Sequence, residues 1–161
     1  MKLLVAGLVV SSVLGCNAIK EIMRNGTATG RMESKGELGD WVFDKGLCFS
    51  GEKEKYYGAV AVGPQDSGIA IKLVKDPVKG WQVLVNNAPT CARRADAKDV
   101  VEKSACKATV LTAESCKKLE ADVVTTNLTV NGIKVVTGKV TLDCEAGTSS
   151  IRGELTLDHC H

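Results

Sequence analysis

The side chains with the widest chemical reach lie at the end of the chain, Asp158-His159-Cys160-His161, which holds the only two histidines. Two imidazoles and a thiolate are ligands a transition metal can use. The competing reading makes Cys160 half of a disulfide and leaves His159 and His161 solvated at a terminus. That reading is favoured, because Cys160 is needed for an even cysteine count. Nucleophilic catalysis needs a Ser or Cys beside a base, yet the terminal histidines are the only imidazoles. The sequence also has no Gly-x-Ser-x-Gly elbow and no phosphate-binding glycine loop. Paired carboxylates can act without histidine, and the nearest pairs are Asp40 with Asp44 and Asp143 with Glu145. On alternating strands such pairs mark a solvated face. Trp41, Tyr56, Tyr57 and Trp81 could build a stacking platform for a sugar or peptidoglycan. With aromatics at only 4% of the chain, the core has the stronger claim on them. Tyr56 and Tyr57 are adjacent in a strand-like run, so one of them faces outwards; that one is the best candidate for a partner contact. No catalytic residue, metal or cofactor is assigned.

Seven cysteines occur: Cys16, Cys48, Cys91, Cys106, Cys116, Cys144 and Cys160. The first closes an N-terminal segment with one early positive charge, a mostly apolar run and small residues before the cysteine. A bilayer-spanning helix needs about 20 apolar residues. This run is shorter and has the form of a secretory signal. Val13-Leu14-Gly15-Cys16 resembles the lipobox of bacterial lipoproteins, with Val13 where Leu is more usual. The resemblance implies cleavage before Cys16, diacylglycerol on its thiol, and several acyl chains where one alone would bind only marginally. An ordinary signal peptide cut after Ala18 is the alternative. Parity favours lipidation, since it leaves six cysteines for three disulfides in an oxidising compartment. Asn17, rather than Asp, follows the cysteine; by the same resemblance this implies the outer membrane of a two-membrane envelope.

Residues 1–15 are thus expected as a cleaved signal, 16–25 as a lipidated tether and 26–161 as one β-rich domain. About 146 residues suffice for a single modest core, which disulfides would reinforce. Basic and acidic residues number 21 and 19 and are scattered. A nucleic-acid binder gathers positive charge on one surface, so that class is rejected.

Ahead of the domain, Ile19, Ile22 and Met23 have helical spacing, predicting a turn or two near the bilayer. From Gly26 to Asn87 apolar residues alternate: Trp41 with Phe43, then Ile69 with Ile71 and Leu73, then Trp81 with Val83 and Val85. Gly63-Pro64-Gln65-Asp66 and Asp76-Pro77 punctuate them as half-buried antiparallel strands. Ala92 to Ala105 is charged around a narrow Ala/Val stripe and predicts a short exposed helix. Thr112-Ala113-Glu114-Ser115 predicts a second helical turn reaching Leu119. Asp122 to Val130 and Ile133 to Cys144 flank Asn131-Gly132, a strong hairpin signal. Leu155 and Leu157 then share the inner face of a third strand, after a loop at Glu145 to Ser150. The expected fold is mainly β, an antiparallel sandwich or half-barrel with one or two short helices in the middle, stapled by disulfides.

If Val130 faces Ile133, Cys144 lies opposite Leu119 and within reach of Cys116. Cys91 and Cys106 bracket the predicted helix, which leaves Cys48 for Cys160 among the 15 pairings open to six cysteines. The order of signal, lipobox, strands with Gly68-Ile69-Ala70, Val130-Asn131-Gly132-Ile133 and a late Gly-rich hairpin is loosely similar to small mycobacterial surface lipoprotein antigens. That likeness implies a β-sandwich without known catalysis. The function expected is a non-catalytic, membrane-anchored envelope lipoprotein that binds another envelope protein or glycan, or has a structural role. The alternatives are an inhibitor of a lysozyme or protease, acting through Gly51–Lys55 or Glu145–Ser150, and an enzyme or metal binder using the terminal histidines.

Overall fold

The computed structural model describes residues 26–64, 67–86 and 108–161. Cys16, the tether, Cys91, Cys106 and the predicted helix from Ala92 to Ala105 lie outside the described residues. Among the described residues nine strands follow one another: β1 (Gly26–Lys35), β2 (Trp41–Ser50), β3 (Gly58–Val62), β4 (Ala70–Asp76), β5 (Gly80–Asn86), β6 (Ala108–Leu111), β7 (Cys116–Val130), β8 (Ile133–Ala146) and β9 (Ser149–Cys160). They form one sheet in the order β6-β5-β4-β3-β2-β1-β9-β8-β7. Two stacked sheets, as in a sandwich, are not what is seen. The organising pair is β1 with β9, which joins the two ends of the domain along an unbroken register from Thr27 opposite Asp158 to Lys35 opposite Ser150.

Every neighbouring pair is antiparallel. Alternating directions outward from the β1–β9 pair makes the two edge strands, β6 and β7, run the same way. Only residues 112–115 separate them in the chain. The stretch from Ala108 to Val130 is therefore nearly one path, which pairs first with β5 and then with β8. At this seam the sheet stays open, although β5 approaches β7 and β6 approaches β8 across it.

The predicted helical turn from Thr112 to Leu119 is cut to a 3-10 turn, Ala113–Ser115. Its start is capped as expected, with the Thr112 N–H donating to Ser115 Oγ at 2.9 Å. Leu119, Ala121 and Val123 then alternate towards the core, and that period of two wins over helical continuation. Among the described residues the only other helical element is also 3-10, Gly51–Glu54.

The core lies inside the curled sheet, with Phe43, Met32, Ile71, Leu73, Leu142 and Leu155 among its fully buried side chains. Each comes from the inward set of an alternating strand, which is why the sequence pattern identified most of them. Asn131 and Gly132 have φ of 52° and 81°, the two positive values a tight two-residue hairpin turn needs. Cys48 is bonded to Cys160 and Cys116 to Cys144, two of the three expected pairs; the third, Cys91 with Cys106, lies outside the described residues. The register beneath the second differs from expectation. Cys144 faces Cys116 directly and Leu119 faces Leu142, because β7 carries irregularities at Thr125–Thr129 and at Cys116–Lys118. The extra residues shift the strand along its partner.

Candidate functional site

A cleft of about 420 Å³ opens where the β2–β3 connection meets the β7–β8 hairpin, lined on one side by Tyr56 and Tyr57 and on the other by Thr125, Lys134 and Val136. Local chemistry shapes the first side. Ser50 Oγ accepts the Glu52 N–H at 3.4 Å, which starts the 3-10 turn as an N-cap does. Lys55 ends it in the left-handed region, φ 63°. The N–H groups of Lys55 and Tyr56 close the loop on the carbonyls of Glu52 and Gly51, at 3.0 and 3.1 Å. The Glu52 carboxylate reaches over to accept the Lys134 N–H and ties the turn to the hairpin.

Tyr56 and Tyr57 lie between the 3-10 turn and β3, outside either element, and both line the cleft. Tyr57 is the more exposed. Its hydroxyl donates to the Val123 carbonyl at 3.1 Å, and its ring lies 6.0 Å from the Trp81 ring at a 43° tilt. The Lys75 ammonium sits 5.7 Å and 5.6 Å from those two rings. The Tyr56 ring carries the Lys72 ammonium at 4.1 Å, and Lys72 is also paired with Glu54 at 2.7 Å. The Tyr56 hydroxyl is buried with no hydrogen-bond partner among the described residues. Burial, and secondarily the Glu54 charge, push its pKa up to about 12.

That shift has a consequence for stability. A tyrosine whose folded pKa lies above the ordinary 10.0 holds its proton longer when folded than when unfolded. Its contribution is therefore complete below pH 10 and is lost as pH climbs towards 12. Tyr56→Phe is expected to remove this part of the alkaline decline in urea-unfolding stability. At neutral pH the change should be neutral or mildly stabilising, since it removes an unsatisfied polar group. An unchanged alkaline slope would show that the hydroxyl is not held in this way.

The remaining candidates are dispersed. Trp41 stands at the opposite end of β2 from Tyr56, with Nε1 donating to the Leu38 carbonyl at 2.9 Å, so a four-aromatic platform does not form. Asp40 accepts the Gly36 N–H at 3.0 Å, and Asp44 lies 3.7 Å from Arg31. Asp143 and Glu145 both bind Arg152, at 2.8 and 3.2 Å. The Lys117 hydrogen bond and charge, with Arg152 adding, hold Glu145 below the usual carboxylate range. Asp44, Asp143 and Glu145 are ion-pair partners, and Asp40 caps backbone in the β1–β2 connection.

The chain end is not frayed, because β9 runs to Cys160 and is stapled there to Cys48. His159 Nδ1 lies 2.7 Å from Asp158, and His161 Nδ1 lies 2.7 Å from the His159 carbonyl. Among the described residues no three His, Cys, Asp or Glu groups converge as a metal site would need. Sequence reasoning reached Tyr56 and Tyr57 but missed Thr125, Lys134 and Val136, whose place in the cleft follows from long-range pairing alone. No known family, curated protein or solved structure matches the chain.

Proposed function

We propose that the protein is a non-catalytic lipoprotein, anchored through Cys16 outside the cytoplasm, whose half-barrel presents the Tyr56–Tyr57 cleft to another envelope protein or glycan. In a two-membrane envelope the outer membrane is the favoured address. The observation that carries the binding reading is the buried Tyr56 hydroxyl, which has no hydrogen-bond partner among the described residues, on a side chain that lines the cleft. Buried polar groups are ordinarily satisfied, and a ligand accepting that hydrogen bond would satisfy this one. Beside it, Tyr57 and Trp81 offer aromatic surface and Lys55, Lys75 and Lys134 offer charge. Two disulfides fit an oxidising compartment, and the lipobox resemblance supports the anchor.

The test is photo-crosslinking in intact cells from a diazirine residue at position 57, with exposed position 120 on β7 as control. A discrete adduct from 57 and none from 120 is expected. Matching patterns from the two positions would defeat the cleft reading, and robust hydrolase or transferase activity in the pure protein would defeat the non-catalytic one.

One observation favours a second reading, inhibition of a lysozyme or protease. The turn Gly51–Lys55 is exposed from Glu52 onwards and locked by its own hydrogen bonds, as a loop inserted into an active site must be. A hydrolase panel assayed with and without the protein separates the two.

A further inference from the structure

The outer surface of the sheet is divided by chemistry. On β7, β8 and β9 it carries a lattice of ion pairs: Lys139–Glu154 at 2.7 Å, Arg152–Asp143 at 2.8 Å and Lys117–Glu145 at 3.0 Å. Exposed pairs of this kind add little stability, and their strongest effect is to keep that half wetted. On β2 to β6 the outward residues include two largely apolar rows, with Asp44 and Lys45 on β2 and Gln82 and Asn86 on β5 as polar positions outside them. Phe49 faces Val60, Val60 faces Lys72, Lys72 faces Leu84 and Leu84 faces Val110, in one row across five strands. A second row runs from Leu47 to Val62 and Ala70. Leu47, Phe49 and Val110 remain 41%, 38% and 51% exposed. Lys72 is the single charge in these two rows, and Glu54 neutralises it. A contiguous apolar face of this extent marks an interaction surface.

Where the chain joins the domain indicates what covers it. Gly26, the first residue of β1, faces Cys48, and Thr27 faces Leu47. The segment before Gly26 therefore meets the sheet one strand from Leu47 and Phe49. Nine residues, 17–25, lie between Cys16 and this point, and fully extended they span about 30 Å. The five strands are about 19 Å across, so the whole apolar half lies within the tether's reach. We infer that the outer face of β2–β6 docks on the lipid bilayer that holds the anchor, with the ion-paired half turned to water. The inference rests on the Cys16 anchor.

The test uses the full mature protein isolated from membranes and reconstituted in phosphatidylethanolamine–phosphatidylglycerol vesicles with brominated acyl chains. Phe49→Trp puts an indole on the apolar half and Thr156→Trp one on the exposed, ion-paired half, with Trp41 and Trp81 of the parent as background. Quenching at least twofold stronger for F49W than for T156W is expected, and equal quenching would overturn the inference. Intact mass of the same samples reports the anchor separately. Acylated Cys16 with unquenched F49W removes the docking and keeps the anchor, whereas unacylated Cys16 removes both. A dimer that Phe49→Asp dissociates would assign the face to a second copy and overturn bilayer docking equally.

Discussion

Replacing Cys48 and Cys160 together by alanine is expected to lower the unfolding free energy by about 4–5 kcal/mol, a large share of the roughly 5–15 kcal/mol typical of a domain. The bond closes a sequence separation of 112 residues, and in the chain-entropy model a loop that long gives the unfolded chain most to lose. It also ties β2 to β9 across the strand between them. Gly26 lies beneath it, so close that a Cβ there would come within 2.5 Å of the Cys160 Cα and 2.7 Å of the Cys48 carbonyl. Both sulfurs are fully buried, so the double variant also leaves a small void. Replacing Cys116 and Cys144 should cost less. Their separation is 28 residues, worth about 3.5 kcal/mol in the same model, and the β7–β8 hairpin already holds those strands in register without the bond. Equilibrium urea unfolding of both double variants under non-reducing conditions checks the order. If loss of Cys116–Cys144 proves the costlier, the joining of the two chain ends is not what the covalent framework mainly protects.

What was legible in the sequence follows how local each signal is. The β7–β8–β9 meander was readable from Asn131-Gly132 and from the alternation of Val140, Leu142 and Cys144, all buried together. The break at Asp76-Pro77 was equally plain. There the Asp76 carboxylate accepts the N–H groups of Val78 and Lys79, both at 2.8 Å, a turn made from side-chain chemistry in four residues. The register opposite Cys144 was not readable, because β-bulges leave the local apolar pattern almost unchanged while sliding one strand past the other. Strand β6 escaped notice since four residues are too few to show a period. The single sheet in place of a sandwich depends on β1 meeting β9, a contact between distant segments with no local signature. The site divides similarly. Adjacent tyrosines announce an outward ring, but nothing near Lys134 announces the turn that packs on it. The outer apolar rows were present as Leu47, Phe49, Val60 and Val62, yet they become one surface only once the strand order is known.

Gly153→Ala is the other substitution with a large expected effect, because the sheet is tightest there. Gly153 sits in the middle of β9, opposite Met32 on β1 and Leu142 on β8. Its φ of 136° is one that residues with a side chain rarely adopt. A Cβ would fall 1.9 Å from the Arg31 carbonyl oxygen and 2.8 Å from the Met32 Cα. Both are backbone atoms of the strand that carries the β1–β9 junction, so no side chain can swing away to make room. Relief requires moving β1 or rotating Gly153 out of its conformation, and either breaks ladder pairing on both sides of β9. Backbone strain of this kind costs about 1–3 kcal/mol, and the displaced packing adds to it, so a loss of about 3 kcal/mol or more is expected. Gly147→Ala is the matched control. It also has positive φ, 62°, but nothing lies within 4 Å of the added carbon, so its cost is the left-handed conformation alone, about 1–2 kcal/mol. Urea midpoints with unchanged m-values should place G153A well below G147A. Equal midpoints would mean that β1 can yield at Arg31 and that the junction of the two chain ends is more compliant than its packing implies.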